Sequence, residues 1–272
     1  MTAPVAAPGD LRDPAFLRKV HPVLERYASW FRPEVRGFDR LPPHGPFLVV
    51  GNHSGGQMPP DLPVLLTAWW RARGEEEPVY ALFHSFFLGL PGVGPVMARA
   101  GAVEAGPAAA EAVLRSGGIL IDFPGGDHEV FRPWWERNRI EFGGRLGFVR
   151  LALRTGVPVV PAVSVGGQET LVVLARGERL ARHLRLDRLF RIKVMPLVAG
   201  PPFGLVPGGI PTFPLPAKIT VELGAPIDLA GRFGPDAADD DEVVRACYDE
   251  LVSTMQATLD RLAGERRFPV LG

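Results

Sequence analysis

Short apolar runs of strand length, each closed by glycine, proline or a polar residue, constrain this chain more than any other feature. They lie at 47–50, 79–83, 119–123 and 157–163. A run that is apolar throughout, rather than at alternate positions, reads as a strand covered on both faces. Between these runs, apolar residues return at helical spacing over 62–72, over 107–114 behind Gly106-Pro107, and over 147–154 before Gly156. Strand and helix in alternation predict an α/β domain with a mostly parallel sheet, and 272 residues suit one such domain.

The flanks extend this plan. Residues 1–12 are expected to be a disordered lead. Asp13-Pro14 is an N-cap followed by proline at the first helical position, and Phe16, Leu17, Val20, Val23, Leu24 and Tyr27 continue at helical spacing. Pro22 predicts a kink or a split there. The amphipathic 13–36 region, with Arg18, Lys19, Arg26 and Arg32, suits either a membrane surface or a helix packed on its own core. Residues 170–191 read as helical and basic, and 218–223 as a strand. Aspartates cap a last helix over 239–266 that aligns Val244, Cys247, Leu251 and Met255 on one face. The expected organisation is one domain over 13–272, with its α/β core at 37–230.

Composition excludes several classes. Thirty basic and 30 acidic side chains cancel, so the global positive field of a nucleic-acid binder is missing. One cysteine, Cys247, excludes an internal disulfide framework and a thiolate zinc cluster. The N-terminus lacks the basic start and apolar segment of a secretory signal, so a cytoplasmic protein is expected. Residues 79–98 and 194–217 carry no formal charge, but the second run alone holds seven prolines and four glycines. Such breakers prevent the internally bonded helix that a membrane span requires. The first run is read as a buried or interfacial irregular segment. The second is read as an irregular interfacial segment that gives peripheral contact with membrane lipid.

Residues 51–61, Gly-Asn-His-Ser-Gly-Gly-Gln-Met-Pro-Pro-Asp, join the first of these strands to the helix at 62–72. His53 stands where the strand runs out and Asp61 where the helix begins. Loops held at both ends by rigid elements are where reactive groups are placed. A histidine oriented by a carboxylate can deprotonate a hydroxyl near neutral pH. The same two residues also fit a plain turn histidine and a helix N-cap.

Four landmarks in one order favour the chemical reading. Asn52-His53 with Asp61, Arg99 after a Gly-rich apolar run, Phe123-Pro124-Gly125-Gly126, and Val157-Pro158-Val159-Val160-Pro161 stand in sequence. Together they resemble the phospholipid/glycerol acyltransferase superfamily, the PlsC-like lysophospholipid acyltransferases, over roughly residues 30–230. The resemblance implies a glycerol-3-phosphate acyltransferase-like α/β fold, with a mixed central sheet flanked by helices. It also implies an acyl thioester co-substrate (acyl-CoA or an acyl carrier protein), a lipid alcohol as acceptor, and no bound cofactor or metal. Two positions depart from the family pattern. Seven residues separate His53 from Asp61 where the family usually has four, and Gly125 stands where it usually has glutamate. The Gly-Gly form looks like the branch acting on neutral glycerides, the mono- and diacylglycerol acyltransferases.

Under that resemblance His53 is the general base and Asp61 its orienting carboxylate. Gly125 and Gly126, without Cβ atoms, are candidate oxyanion donors. Arg99, Arg132 and Arg145 are candidates for holding phosphates of coenzyme A or a lipid head group through forked bonds. Glu129 and Asp127 either shape the acceptor pocket or counter these arginines. Two alternatives stand beside this. One is a lipid-binding protein of the same fold without the chemistry. The other is a serine esterase or thioesterase, for which the chain has no Gly-x-Ser-x-Gly, and Ser54 directly follows His53.

Overall fold

The computed structural model describes residues 11–56, 59–185, 195–208, 210, 212–268 and 270–271. The expected lead over 1–12 therefore falls largely outside the described residues. The apolar runs form β2 (Phe47–Gly51), β3 (Val79–Phe83), β5 (Ile119–Asp122) and β6 (Val159–Val165). Two three-residue strands, β1 (Glu34–Arg36) and β4 (Ala102–Glu104), and β10 (Thr220–Leu223) complete a sheet ordered β1-β10-β6-β2-β5-β3-β4. The strands from β6 to β4 are mutually parallel. β10 is antiparallel to β6 and parallel to β1, so the sheet is mixed at one edge, as expected.

Continuous apolarity follows from burial on both faces. Leu48, Val50 and Leu120 face one core, closed by α5 (Pro107–Arg115), α7 (Gly147–Thr155), α9 (Leu229–Phe233) and α10 (Asp241–Gly264). Phe47, Val49, Ile119 and Ile121 face the other, closed by α1 (Pro14–Ser29) and α2 (Asp61–Arg73). Each fully buried side chain of this kind contributes about 1.5–3 kcal/mol, so both layers are held by the same strands.

The structure departs from the sequence reading at three places. Pro22 lies inside an uninterrupted α1, whose start is fixed by Asp13 accepting from Phe16 N at 3.0 Å. The segment expected to be helical from 170 begins as β7 (Val172–Ala175) and contains only α8 (Glu178–His183); residues 186–194 lie outside the described residues. The uncharged run after 194 supplies β8 (Leu197–Gly200) and β9 (Gly204–Pro207), which pair with β7 as a small antiparallel sheet. The 79–98 run continues past β3 into α3 (Ser85–Leu88) and α4 (Val93–Arg99). Among the described residues no helix is long and apolar enough to cross a membrane.

Candidate active site

Neighbouring strands β6, β2 and β5 end side by side, and the loops leaving their C-terminal ends meet there. Ligands of open α/β sheets bind at such ends. Asn52 extends the β2–β6 ladder through its side chain: Nδ2 donates to Ser164 O at 2.9 Å and Oδ1 accepts from Ser164 N at 2.7 Å. That pairing carries the chain straight into His53. A Cβ on Gly51 would fall 2.5 Å from Phe123 Cε1, so glycine there makes room for the ring. Phe123 stacks on the His53 imidazole, with centroids 4.5 Å apart and planes 22° from parallel.

His53 Nδ1 lies 3.2 Å from Asp61 Oδ2, and Asp61 is buried. The carboxylate is held on several sides. Oδ2 accepts from Ser54 N at 2.7 Å; Oδ1 accepts from Ser54 Oγ at 3.0 Å and Ser164 Oγ at 2.7 Å. A carboxylate so anchored is placed to accept the imidazole proton at Nδ1, an arrangement that would leave the Nε2 lone pair open. The ring is 17% exposed, enough for a hydroxyl to reach it. Asp61 is not the N-cap of α2; Pro60 takes that place.

The long His–Asp spacing is absorbed by backbone reversal. Gly55 and Gly56 have φ of +95° and +72°, the left-handed region that glycine adopts without strain. Gln57 and Met58 lie outside the described residues. Gly167 closes the floor, since a Cβ there would sit 2.9 Å from Asp61 Oδ1 and 3.0 Å from Ser54 Cβ. Gln168 ties the three loops together, accepting from Gly55 N at 3.3 Å and donating from Nε2 to Glu129 O at 3.0 Å.

Gly125 and His53 share a neighbour. The Glu129 carboxylate accepts from His53 N at 2.8 Å, and a Cβ on Gly125 would fall 2.5 Å from Glu129 Cβ. The Gly125 amide finds no acceptor among the described residues, whereas Gly126 N donates to Phe123 O at 3.1 Å. Gly126 is thus corrected from an oxyanion donor to a turn residue, its φ of +47° explaining the glycine.

The arginines are corrected more sharply. Arg99 sits at the opposite end of the sheet: it precedes the N-terminal end of β4, which runs parallel to β3 and begins with Ala102 beside Ala81. Its guanidinium pairs with Asp13 at 2.6 Å and covers the Phe16 ring at 4.3 Å, so it holds the start of α1. Arg132 is fully buried, paired with Glu129 at 3.1 Å and with the carbonyls of Arg137 and Arg139. It has no access to a phosphate. Arg145 stays at the site but is engaged, donating to Pro124 O at 2.7 Å, Gly125 O at 2.9 Å and Asp127 at 2.8 Å. Glu129, with no exposure, counters Arg132. Ser54 is buried with its hydroxyl on Asp61, which removes it as a nucleophile activated by His53.

Burial pushes the Asp122 carboxyl, at the end of β5, up to about 6, with Arg145 pulling the other way. A folded pKa above the unfolded value means that the charged form costs stability, a cost present above about pH 6 and relieved as pH falls. Asp122→Asn is therefore expected to raise Tm at pH 8 by a few degrees and to have less effect at pH 5. Thermal melts at the two pH values check this.

The sequence reading missed Ser164, Gly167 and Gln168. The available signal was a polar tail, Ser164-Val165-Gly166-Gly167-Gln168, closing an otherwise apolar strand.

Similarity to known proteins agrees with this geometry. A family model described as Acyltransferase matches residues 32–165. An uncharacterized protein of Mycobacterium tuberculosis is 34% identical over 91% of this chain and 66% of its own length. One of Mycobacterium leprae is 34% identical over 89% and 63%. The chain thus spans somewhat less than two thirds of these relatives. The human "DGAT1/2-independent enzyme synthesizing storage lipids" is 29% identical over 74% of this chain and 55% of its own. The crystal structure of the 1-acyl-sn-glycerophosphate (LPA) acyltransferase PlsC from Thermotoga maritima shares the fold, with TM-score 0.57 at 19% identity over 93% of this chain and 80% of that one. The mixed sheet, the strand-end loops and the matched residues converge on one conclusion: residues 32–165 belong to the Acyltransferase family, in a chain that shares the fold of that PlsC structure.

Proposed function

We propose that this chain transfers an acyl group from an acyl thioester, acyl-CoA or acyl carrier protein, to the hydroxyl of a neutral glyceride. The observation that carries the reading is the His53–Asp61 contact of 3.2 Å, at the end of β2 where His53 and Gly125 share Glu129 as a neighbour. His53 Nε2 takes the proton as the acceptor oxygen attacks the thioester carbonyl carbon. The C–S bond breaks, and the same proton passes to the leaving thiolate. Asp61 stabilises the imidazolium between these steps. The Gly125 amide supplies a donor to the developing oxyanion, an effect of about 10²–10³ in rate.

The neutral acceptor follows from the fate of the arginines. Arg99 lies at the far end of the sheet and Arg132 is buried against Glu129. Arg145 already serves two carbonyls and a carboxylate. None of the three offers the free fork that a phosphomonoester would need. The storage-lipid name of the human relative points the same way. The test is thiol release from one acyl-CoA with monoacylglycerol, diacylglycerol, lysophospholipid or glycerol phosphate as acceptor. The glycerides are expected to support release at least tenfold faster than glycerol phosphate; the reverse order would exclude this acceptor class.

Access to such an acceptor requires contact with a bilayer. The segment that follows the small sheet adjoins the site, with Leu215 N donating to Thr170 O at 2.7 Å, and the sheet and this segment together expose Phe203, Leu205 and Phe213. No charged residue interrupts 195–217. We propose that this face enters the lipid interface, with Phe86 and Phe87 of α3 as a second contact. Flotation with neutral phosphatidylcholine vesicles is expected to persist in high salt and to fall severalfold in the double variant Phe203→Glu, Phe213→Glu. Release of the wild-type protein by salt alone would contradict an apolar contact.

A further inference from the structure

A carboxylate buried behind the base raises the question of what it does there. Glu129 is inaccessible, so it touches neither acceptor nor thioester. Its two oxygens divide their work. Oε2 accepts from His53 N at 2.8 Å, and Oε1 accepts from Glu141 N at 3.1 Å and Arg132 Nη1 at 3.1 Å. Arg132 is itself locked, so the carboxylate cannot drift. Burying such a pair gives little net stability, which leaves its geometry as the reason to keep it.

Gly125 supplies the second observation. Its φ and ψ, −63° and −32°, are open to any residue, so conformation does not demand glycine. Space does. A Cβ at 125 would lie 2.5 Å from Glu129 Cβ and 2.8 Å from its Cδ, where the carboxylate now stands. The volume next to position 125 is filled from the first turn of α6 (Gly126–Val130) instead.

We propose that Glu129 is the positioning residue of this site: its carboxylate, occupying the space that Gly125 leaves, fixes the His53 main chain and through it the ring against Asp61. The proposal rests on His53 being the base. A carboxylate is suited to the task because a charge-assisted bond to a main-chain amide is stronger than a neutral one. Burial raises the Glu129 carboxyl, while Arg132 and the His53 amide act in the opposite direction. Arg132 thus offsets part of the cost of burial and helps to aim the carboxylate.

The experiment uses the full chain and two readouts. In Glu129→Gln, kcat is expected to fall about 10²-fold with KM for the acyl thioester within about threefold, because misplacing a catalytic group by an ångström costs that much. The His53 amide is expected to exchange with solvent at least tenfold faster, a measurement that does not depend on activity and so stands apart from any failure of the base assignment. The second variant moves the carboxylate: Gly125→Glu with Glu129→Gly is expected to recover at least tenfold in kcat over Glu129→Gly alone. A Glu129→Gln protein with kcat within twofold of wild type overturns the proposal. So does unchanged exchange at His53, or a double variant no more active than Glu129→Gly.

Discussion

His53→Ala is expected to lower kcat by about 10²–10⁴, the usual contribution of a positioned general base, while the protein still floats with vesicles. The fold should survive. The ring lies at the end of β2 rather than within either core, and its main features of contact are Phe123 and Asp61. Loss of activity should therefore appear without a matching loss in Tm. Thiol-release kinetics beside a thermal melt check both parts. A variant retaining turnover within tenfold of wild type would remove His53 from the chemistry.

Asp61→Asn is expected to be nearly as severe, on the order of 10²–10⁴ in kcat, since an amide can present its N–H to Nδ1 and so place the proton on Nε2. Unlike the first variant, it should also cost stability. Asp61 is buried and accepts from Ser54 N, Ser54 Oγ and Ser164 Oγ, and an asparagine has one acceptor oxygen where these donors find two. Leaving a buried donor unsatisfied costs about 1–3 kcal/mol. The expected signature is a lower Tm together with low kcat, and Asp61→Glu should not restore either because the tightly packed Gly167 leaves no room. A melt and a rate measurement on each variant check it.

What the residues disclosed in advance depended on how local each cause was. β2, β5 and β6 were legible because both faces are buried, which writes apolarity at every position. β1 and β4 were not, since three residues at or near a sheet edge, including Glu34, Arg36 and Glu104, leave no such record. β7 resembled the start of a helix because its strand character comes from pairing with β8. The same division holds at the site. His53 and Asp61 share one loop, and the contact between them was legible from it. Ser164 acts on Asp61 from 103 residues away, and Gln168 reaches Gly55 across 113, so no local pattern announces them. Arg99 and Arg132 were misjudged for a related reason: a cation in a sequence does not show whether its charge is spent on Asp13, on Glu129 or on a ligand.

The most direct measurement is a single incubation of the intact chain with a radiolabelled acyl thioester and a glyceride, counting thiol released, ester formed and label on protein. Direct transfer with His53 as base requires one thiol for each new ester, release that depends on the glyceride, and no acyl group left on the polypeptide. Label retained on a serine, or thiol released at the same rate without acceptor, would contradict it.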